Sequence, residues 1–307
     1  MNPITIATRQ SALALWQAEY VKRSLEQCHS GLSVSLLRQD TQGDRIQDRT
    51  LAAIGGKGLF IKELEERILE GSADVAVHSL KDVPMTLPDG FELAAILERH
   101  SPFDAFIVRD GKSLADLADD AVIGTCSLRR QCQLKRNHPN WVMVDLRGNI
   151  DTRLKKLDGG EMDAIVLAES GLDRMGWSHR VTEALLPDQC CPAAGQGALA
   201  LEIRAGDERL RELLAPLHHE STAQCVRAER EMSRLLGGSC QVPLGAYACW
   251  EGDQIRLQGF VGRPDGSLVF NTTQIGTDPL ALGRQGAEDL MAQGAGQVLD
   301  ELGVSYL

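Results

Sequence analysis

At 307 residues the chain is too long for one ordinary core, and its length predicts two or three domains that need no disulfide or metal staple. Hydrophobic residues make up 43% and charged residues 24%, with no apolar run of about eighteen residues, which argues against a membrane protein. A net charge of −11 argues against general nucleic-acid binding, and eight cysteines without a CxxC pair argue against a zinc ribbon or a thioredoxin-like site, so no metal is expected.

The first residues, MNPITIATRQS, lack the basic, apolar and small-residue succession of a signal peptide, so a cytoplasmic protein with reduced thiols is expected. ITIA (4–7) reads as a strand. Leu13, Trp16, Tyr20 and Leu25 recur at helical spacing over 11–27, and an alternating strand follows near 33–38. After the loop DTQGDR, the residues Leu59, Phe60, Leu64 and Ile68 mark a second helix, and ADVAVHS (73–79) a buried strand. The alternation repeats as AVIGT, VMVDL and DAIVLA, which predicts a second, largely parallel α/β unit. CCPAAGQGA (190–198) reads as a hinge before the strand-like ALALEIR, where the chain re-enters the first unit. A helix over 218–236, three strands (LGAYACW, IRLQGFVG, SLVFNTTQIG) and a closing helix from about 279 make a small α+β domain. The expected division is 1–98 with 198–216, then 102–192, then 218–307.

Charge is unevenly placed: between Ala121 and Lys156 lie eight Lys/Arg against two acids. In open α/β sheets ligands bind beyond the carboxyl ends of the strands. Arg9 and Ser11 follow ITIA, Lys81 and Asp82 follow DVAVHS, Ser127, Arg129 and Arg130 follow AVIGT, Arg147 follows VMVDL, and Arg174 lies after DAIVLA. Cations at five strand ends, together with helix N-termini, predict a ligand bearing several carboxylates or phosphates. Lys135, Arg136, Lys155 and Lys156 lie further along their helices and read as solvated.

A lone Asp near a turn is usually a cap, yet Asp82 among cations is also placed to carry a proton or to stabilise a cationic intermediate. Cys240 sits in a glycine-rich loop, GGSC, with no basic cluster beside it, and by itself reads as an inert thiol. GGKG (55–58) lacks the GxxxxGK[ST] spacing of a phosphate loop.

IATRQS, GGKGLF, HSLKDVP, DAF, GTCSLRRQCQL, LRGNIDTRL, KLDGGEMDAIVLA, PAAGQGA and GGSCQVPLG occur in this order over nearly the whole chain. In these motifs the sequence resembles the porphobilinogen deaminases. The resemblance implies two periplasmic-binding-protein-like α/β domains and a small C-terminal α+β domain. It implies stepwise condensation of four porphobilinogen molecules, each losing ammonia, and hydrolytic release of hydroxymethylbilane in tetrapyrrole synthesis. It also implies a dipyrromethane cofactor held by a thioether to Cys240, which reverses the bland reading of that residue. Asp82 matches the catalytic aspartate. Lys81, Ser127, Arg129, Arg130 and Arg147 match cofactor-binding positions, and Arg9, Ser11, Lys57, Arg153, Arg174 and Gln196 match substrate-binding ones. The sequence departs from many members at Cys126, where they have Ser, and at Ala53, where they have Lys. A monomer acting on a small molecule, with no nucleic-acid or membrane partner, is expected.

The rival class is a binding module, a solute-binding protein or a regulator's effector domain, since both share the α/β pattern and anion-binding helix termini. The missing signal peptide disfavours the first, and a chain that starts on a strand, with no helix-turn-helix ahead of it, disfavours the second.

Overall fold

The computed structural model describes residues 2–41, 61–238 and 242–307. Cys240, Lys57, Ala53 and the GGKG segment lie outside the described residues. In chain order the strands are β1 (Ile4–Arg9), β2 (Val34–Gln39), β3 (Val75–Ser79), β4 (Phe91–Ile96), β5 (Asp104–Val108), β6 (Val122–Gly124) and β7 (Val142–Val144). They continue with β8 (Ala164–Ala168), β9 (Glu183–Leu185), β10 (Leu199–Arg204), β11 (Leu244–Glu251), β12 (Gln254–Gly262) and β13 (Val269–Gly276). The sheets have the orders β2-β1-β3-β10-β4, β7-β6-β8-β5-β9 and β11-β12-β13.

The described residues fall into two compact units, one of 2–41, 61–100 and 197–223, the other holding the rest. In the first, β1 pairs parallel with β2 and β3. Ser11 caps the helix Ala12–Cys28 by accepting from the Ala14 amide at 3.4 Å. The helix buries Ala14, Gln17, Ala18, Val21 and Leu25, spaced three and four apart, and Ala18, Val21 and Leu25 join Ile4, Ile6, Val75 and Val77 in one core. Burial of each large aliphatic side chain there stabilises the fold by about 1.5–3 kcal/mol. The helix Lys62–Leu69 covers the other face, with Leu64 and Ile68 packed against Ala7 and Ala76.

In the second unit β6 pairs parallel with β7 and β8. Its two faces carry separate cores, one around Phe106, Ile123, Trp141 and Val166, the other around Ile107, Leu146, Leu157 and Ile165. The same unit contains the helix Glu220–Leu235, the antiparallel sheet β11-β12-β13 and the helix Pro279–Gln293. Buried Glu229 of the first of these helices accepts the amides of Gly195 and Ala248, each at 2.7 Å, and so ties Gly195 to β11.

The α/β class holds, and in each five-stranded sheet four strands run the same way while a single strand runs against them. β10 runs antiparallel between β3 and β4, and β5 antiparallel between β8 and β9. The reason lies in connectivity. β10 returns from residue 199, after the second sheet is complete, and a strand entering from a crossing rather than through a βαβ turn is free of the right-handed parallel rule.

Candidate active site

Each α/β sheet has its loops of interest at one edge. In the first unit, Arg9 ends β1, followed by Ser11, while β3 runs into the 3-10 turn Leu80–Asp82. Because β1 and β3 are parallel neighbours, these two ends share an edge of the sheet. The turn is held from both sides. The Leu80 amide donates to the Ala198 carbonyl at 3.0 Å, and fully buried Leu80 and Val83 flank Lys81 and exposed Asp82. Val83 is extended (φ −78°, ψ 128°), as the following Pro84 requires.

In the second unit β7, β6 and β8 are adjacent and parallel, so their carboxyl ends also line one edge. β6 leads through Thr125 and Cys126 to Ser127, the N-cap of the helix Leu128–Asn137; the Ser127 hydroxyl makes no capping bond. The first-turn amides and that hydroxyl are therefore available to an anion. Beyond β7, Arg147 stands half-buried, and its Nη1 is buried without a hydrogen-bond partner. The positive-φ Gly148 and the cap Asn149 follow, and Arg153 donates from Nε to the Gly148 carbonyl at 2.8 Å. Arg174 ends the helix Glu169–Arg174 that follows β8 and is buried.

Arg129 and Arg130 are also buried, and both meet Asp104, a residue that the sequence flagged only as part of DAF. Asp104 opens the antiparallel strand β5 opposite Ala168, which brings it to the same sheet edge. Its Oδ1 accepts Arg130 Nε at 3.0 Å, Arg130 Nη2 at 2.7 Å and Gln196 Nε2 at 3.0 Å, and its Oδ2 meets Arg129 Nη1 at 2.7 Å. Burial alone would raise the Asp104 carboxyl, but the Arg129 and Arg130 guanidiniums hold it far below the usual carboxylate range. Gln196, expected at the ligand, also donates to the Pro102 carbonyl at 2.7 Å and is buried.

Five of the described thiols are held as neutral, poorly nucleophilic groups. Burial pushes Cys132 and Cys190 up to about 12, Cys190 aided by Asp104, and raises Cys191, Cys126 and Cys249 as well. The Cys126 thiol donates to the Leu146 carbonyl at 3.1 Å and so acts as a local strut. The first unit contributes a cluster without a sequence signal: His78 Nε2 lies 2.8 Å from Glu202, and Glu65 beside it is raised to about 7 by burial and by the Glu202 charge. Strand pairing across more than a hundred residues creates this cluster.

A family model described as "Porphobilinogen deaminase, dipyromethane cofactor binding domain" matches residues 4–212, and one described as "Porphobilinogen deaminase, C-terminal domain" matches 223–292. The chain is 52% identical over 304 residues to a porphobilinogen deaminase of Thiobacillus denitrificans, covering 98% of this chain and 99% of that one. Among solved structures, the probable amino-acid ABC transporter extracellular-binding protein YtmK of Bacillus subtilis is similar at TM-score 0.43 and 9% identity, over 74% of this chain and 96% of that one. The Bordetella pertussis BvgS VFT2 domain gives TM-score 0.41 at 17% identity, over 74% and 93%. The strand-end cations suit a carboxylate-rich pyrrole group: Arg147 Nη1 is buried and lacks an acceptor, and Ser127 leaves its helix N-terminus uncapped. With both family models and a relative of equal length in agreement, the chain belongs to the porphobilinogen deaminase family.

Proposed function

We propose that the chain is a hydroxymethylbilane synthase, condensing four porphobilinogen molecules with loss of ammonia on a dipyrromethane cofactor and releasing hydroxymethylbilane by hydrolysis. The observation that carries the reading is the full-length family match, whose larger domain is named for that cofactor. The strand-end cations support it, because acetate and propionate groups on every pyrrole call for several guanidinium and ammonium partners.

Dipyrromethane, when bound, supplies the pyrrole end onto which each unit is condensed. Cys240 is the proposed anchor, in keeping with a loop thiol in a chain whose Cys126, Cys132, Cys190, Cys191 and Cys249 are held as neutral thiols. Lys81, Ser127, Arg129, Arg130 and Arg147 serve the cofactor's carboxylates. Arg9, Ser11, Lys57, Arg153, Arg174 and Gln196 serve the incoming substrate. As a carboxylate, Asp82 accepts hydrogen bonds from pyrrole N–H groups, assists the departure of ammonia, and places negative charge beside the electron-poor carbon left behind. Covalent anchorage makes each addition intramolecular for the growing chain.

The proposed setting is a cytoplasmic monomer with no nucleic-acid or membrane partner, divided at 1–98 with 198–216, 102–192 and 218–307. The net charge of −11 supports the absence of nucleic acid, and among the described residues no helix is long and apolar enough to cross a membrane.

The test is the intact mass of denatured protein from cells that make porphobilinogen, beside Cys240→Ser. A dipyrromethane adduct mapped to Cys240 and absent from the variant is expected; an unmodified parent chain would sink the reading and leave a binding module in its place.

A further inference from the structure

Arg129 and Arg130 are neighbours in sequence but use opposite edges of their guanidinium groups. Arg130 commits its Nε/Nη2 edge to Asp104 Oδ1, at 3.0 and 2.7 Å, and its Nη1 to the Val166 carbonyl at 2.9 Å. Arg129 commits only Nη1, which meets Asp104 Oδ2 and donates to the Cys191 carbonyl, both at 2.7 Å. Among the described residues no acceptor engages its Nε or Nη2. That edge carries two parallel N–H donors and matches a carboxylate bidentately.

The charges tell the same story. Asp104 is wholly buried, and Arg129 and Arg130 are 5% and 7% exposed. Among the described residues Asp104 is the one carboxylate acting on Arg129, and the neighbouring Cys190 and Cys191 are neutral thiols. Two buried guanidiniums against one carboxylate leave one surplus positive charge, which in a poorly solvated place calls for an anion. The rest of the network is built to hold this arrangement. Gln196 and the Cys190 thiol also donate to Asp104, at 3.0 and 3.4 Å, and Gln133 accepts the Cys191 amide at 2.6 Å while donating to the Arg129 carbonyl at 3.1 Å.

We infer that Asp104 is a positioning residue: with Arg130 as its counter-ion it holds Arg129 by Nη1 and leaves the Nε/Nη2 edge and a single net positive charge for one carboxylate of the ligand. Arg130 thereby acts through Asp104 rather than by touching the ligand. The inference rests on the hydroxymethylbilane synthase reading and divides its arginine set into a contact and a support.

The experiment compares the parent with Arg129→Met, Arg130→Met and the double variant Asp104→Asn/Arg130→Met, all purified from cells that make porphobilinogen. Three quantities are read: the fraction of chain carrying the dipyrromethane mass, KM and kcat of the loaded fraction, and the melting temperature. Arg130→Met leaves Asp104 to neutralise Arg129, so adduct fraction or substrate affinity falls roughly tenfold or more. Arg129→Met gives a loss of at least that size with a smaller drop in melting temperature, since Asp104 keeps its bidentate partner. The double variant restores one uncompensated guanidinium and recovers adduct and KM above Arg130→Met. A double variant no better than Arg130→Met, an Arg130→Met equal to the parent, or losses that follow melting temperature alone would overturn the inference. A parent chain without adduct would overturn the underlying reading and this one with it.

Discussion

Gln17 donates from Nε2 to the Ser79 hydroxyl at 2.8 Å, fastening the first helix to the last residue of β3, three residues ahead of Asp82. With buried Leu80 and Val83 on either side, the turn is anchored while Asp82 itself stays exposed. Asp82→Asn keeps shape and removes charge. The expected outcome is a folded protein that still carries the cofactor mass and loses turnover by at least about 100-fold. Near-normal kcat would remove Asp82 from the chemistry.

Arg147 has a buried Nη1 without an acceptor, a cost the fold sustains only if something else meets that group. Arg147→Leu removes the unmet donor along with the charge. Thermal stability is expected to stay level or rise, while cofactor loading or chain growth weakens by about 1.5–3 kcal/mol, the worth of one charged hydrogen bond. Paired melting and single-turnover measurements decide it; lower stability with unchanged chain growth would mark Arg147 as structural.

Glu65 is raised to about 7 by burial and by Glu202. A carboxyl whose folded pKa exceeds its unfolded value of 4.5 holds its proton longer in the folded state. Its contribution is therefore complete below about 4.5 and is lost as pH rises through about 7. Glu65→Gln keeps a neutral group there at every pH. Melting temperatures of the two proteins should match near pH 5 and diverge in favour of the variant at pH 8. Parallel curves across that span would show that Glu65 ionises normally.

Gly266 has φ +73°, and a Cβ there would stand 2.5 Å from the Arg136 amide nitrogen and 2.7 Å from the Cys132 carbonyl. The turn between β12 and β13 thus rests on the backbone of the helix Leu128–Asn137. Gly266→Ala has to move backbone, and a loss of about 2 kcal/mol or more is expected in denaturant unfolding. Because that helix also carries Ser127 and Arg129, KM should rise in the same variant. A loss of under about 0.5 kcal/mol would mean that the contact yields easily.

Local signals were readable where chemistry is local. The apolar runs of β1, β3 and β8 follow from neighbouring residues, and the spacing of Leu13, Trp16, Tyr20 and Leu25 found the first helix, although the face it buries is Ala14, Gln17, Ala18, Val21 and Leu25, with Leu13, Trp16 and Tyr20 only half-buried. Edge strands were harder: β9 is three residues long, and β4 is buried only toward its end. The direction of β10 could not be read from ALALEIR, because its partners lie more than a hundred residues away. At the site, strand-end placement found the cations but not their division of labour. Adjacent residues on a helix project about 100° apart, so Arg129 and Arg130 meet different surroundings that their shared LRR motif does not reveal. Asp104 was equally hidden, since only the folded chain brings positions 104, 129, 130 and 196 together.

The insertion of β10 between β3 and β4 sets an order on the birth of the molecule. β4 hydrogen-bonds to no strand but β10 among those described, so a ribosome that has delivered the first hundred residues has made half a sheet and one strand without a partner. The amino-terminal layer can close only once residue 204 has left the exit tunnel, by which time the strands of the second sheet are already made. A chain released early should therefore meet the proteases with an open sheet edge, and the second α/β layer should reach its native form before the first.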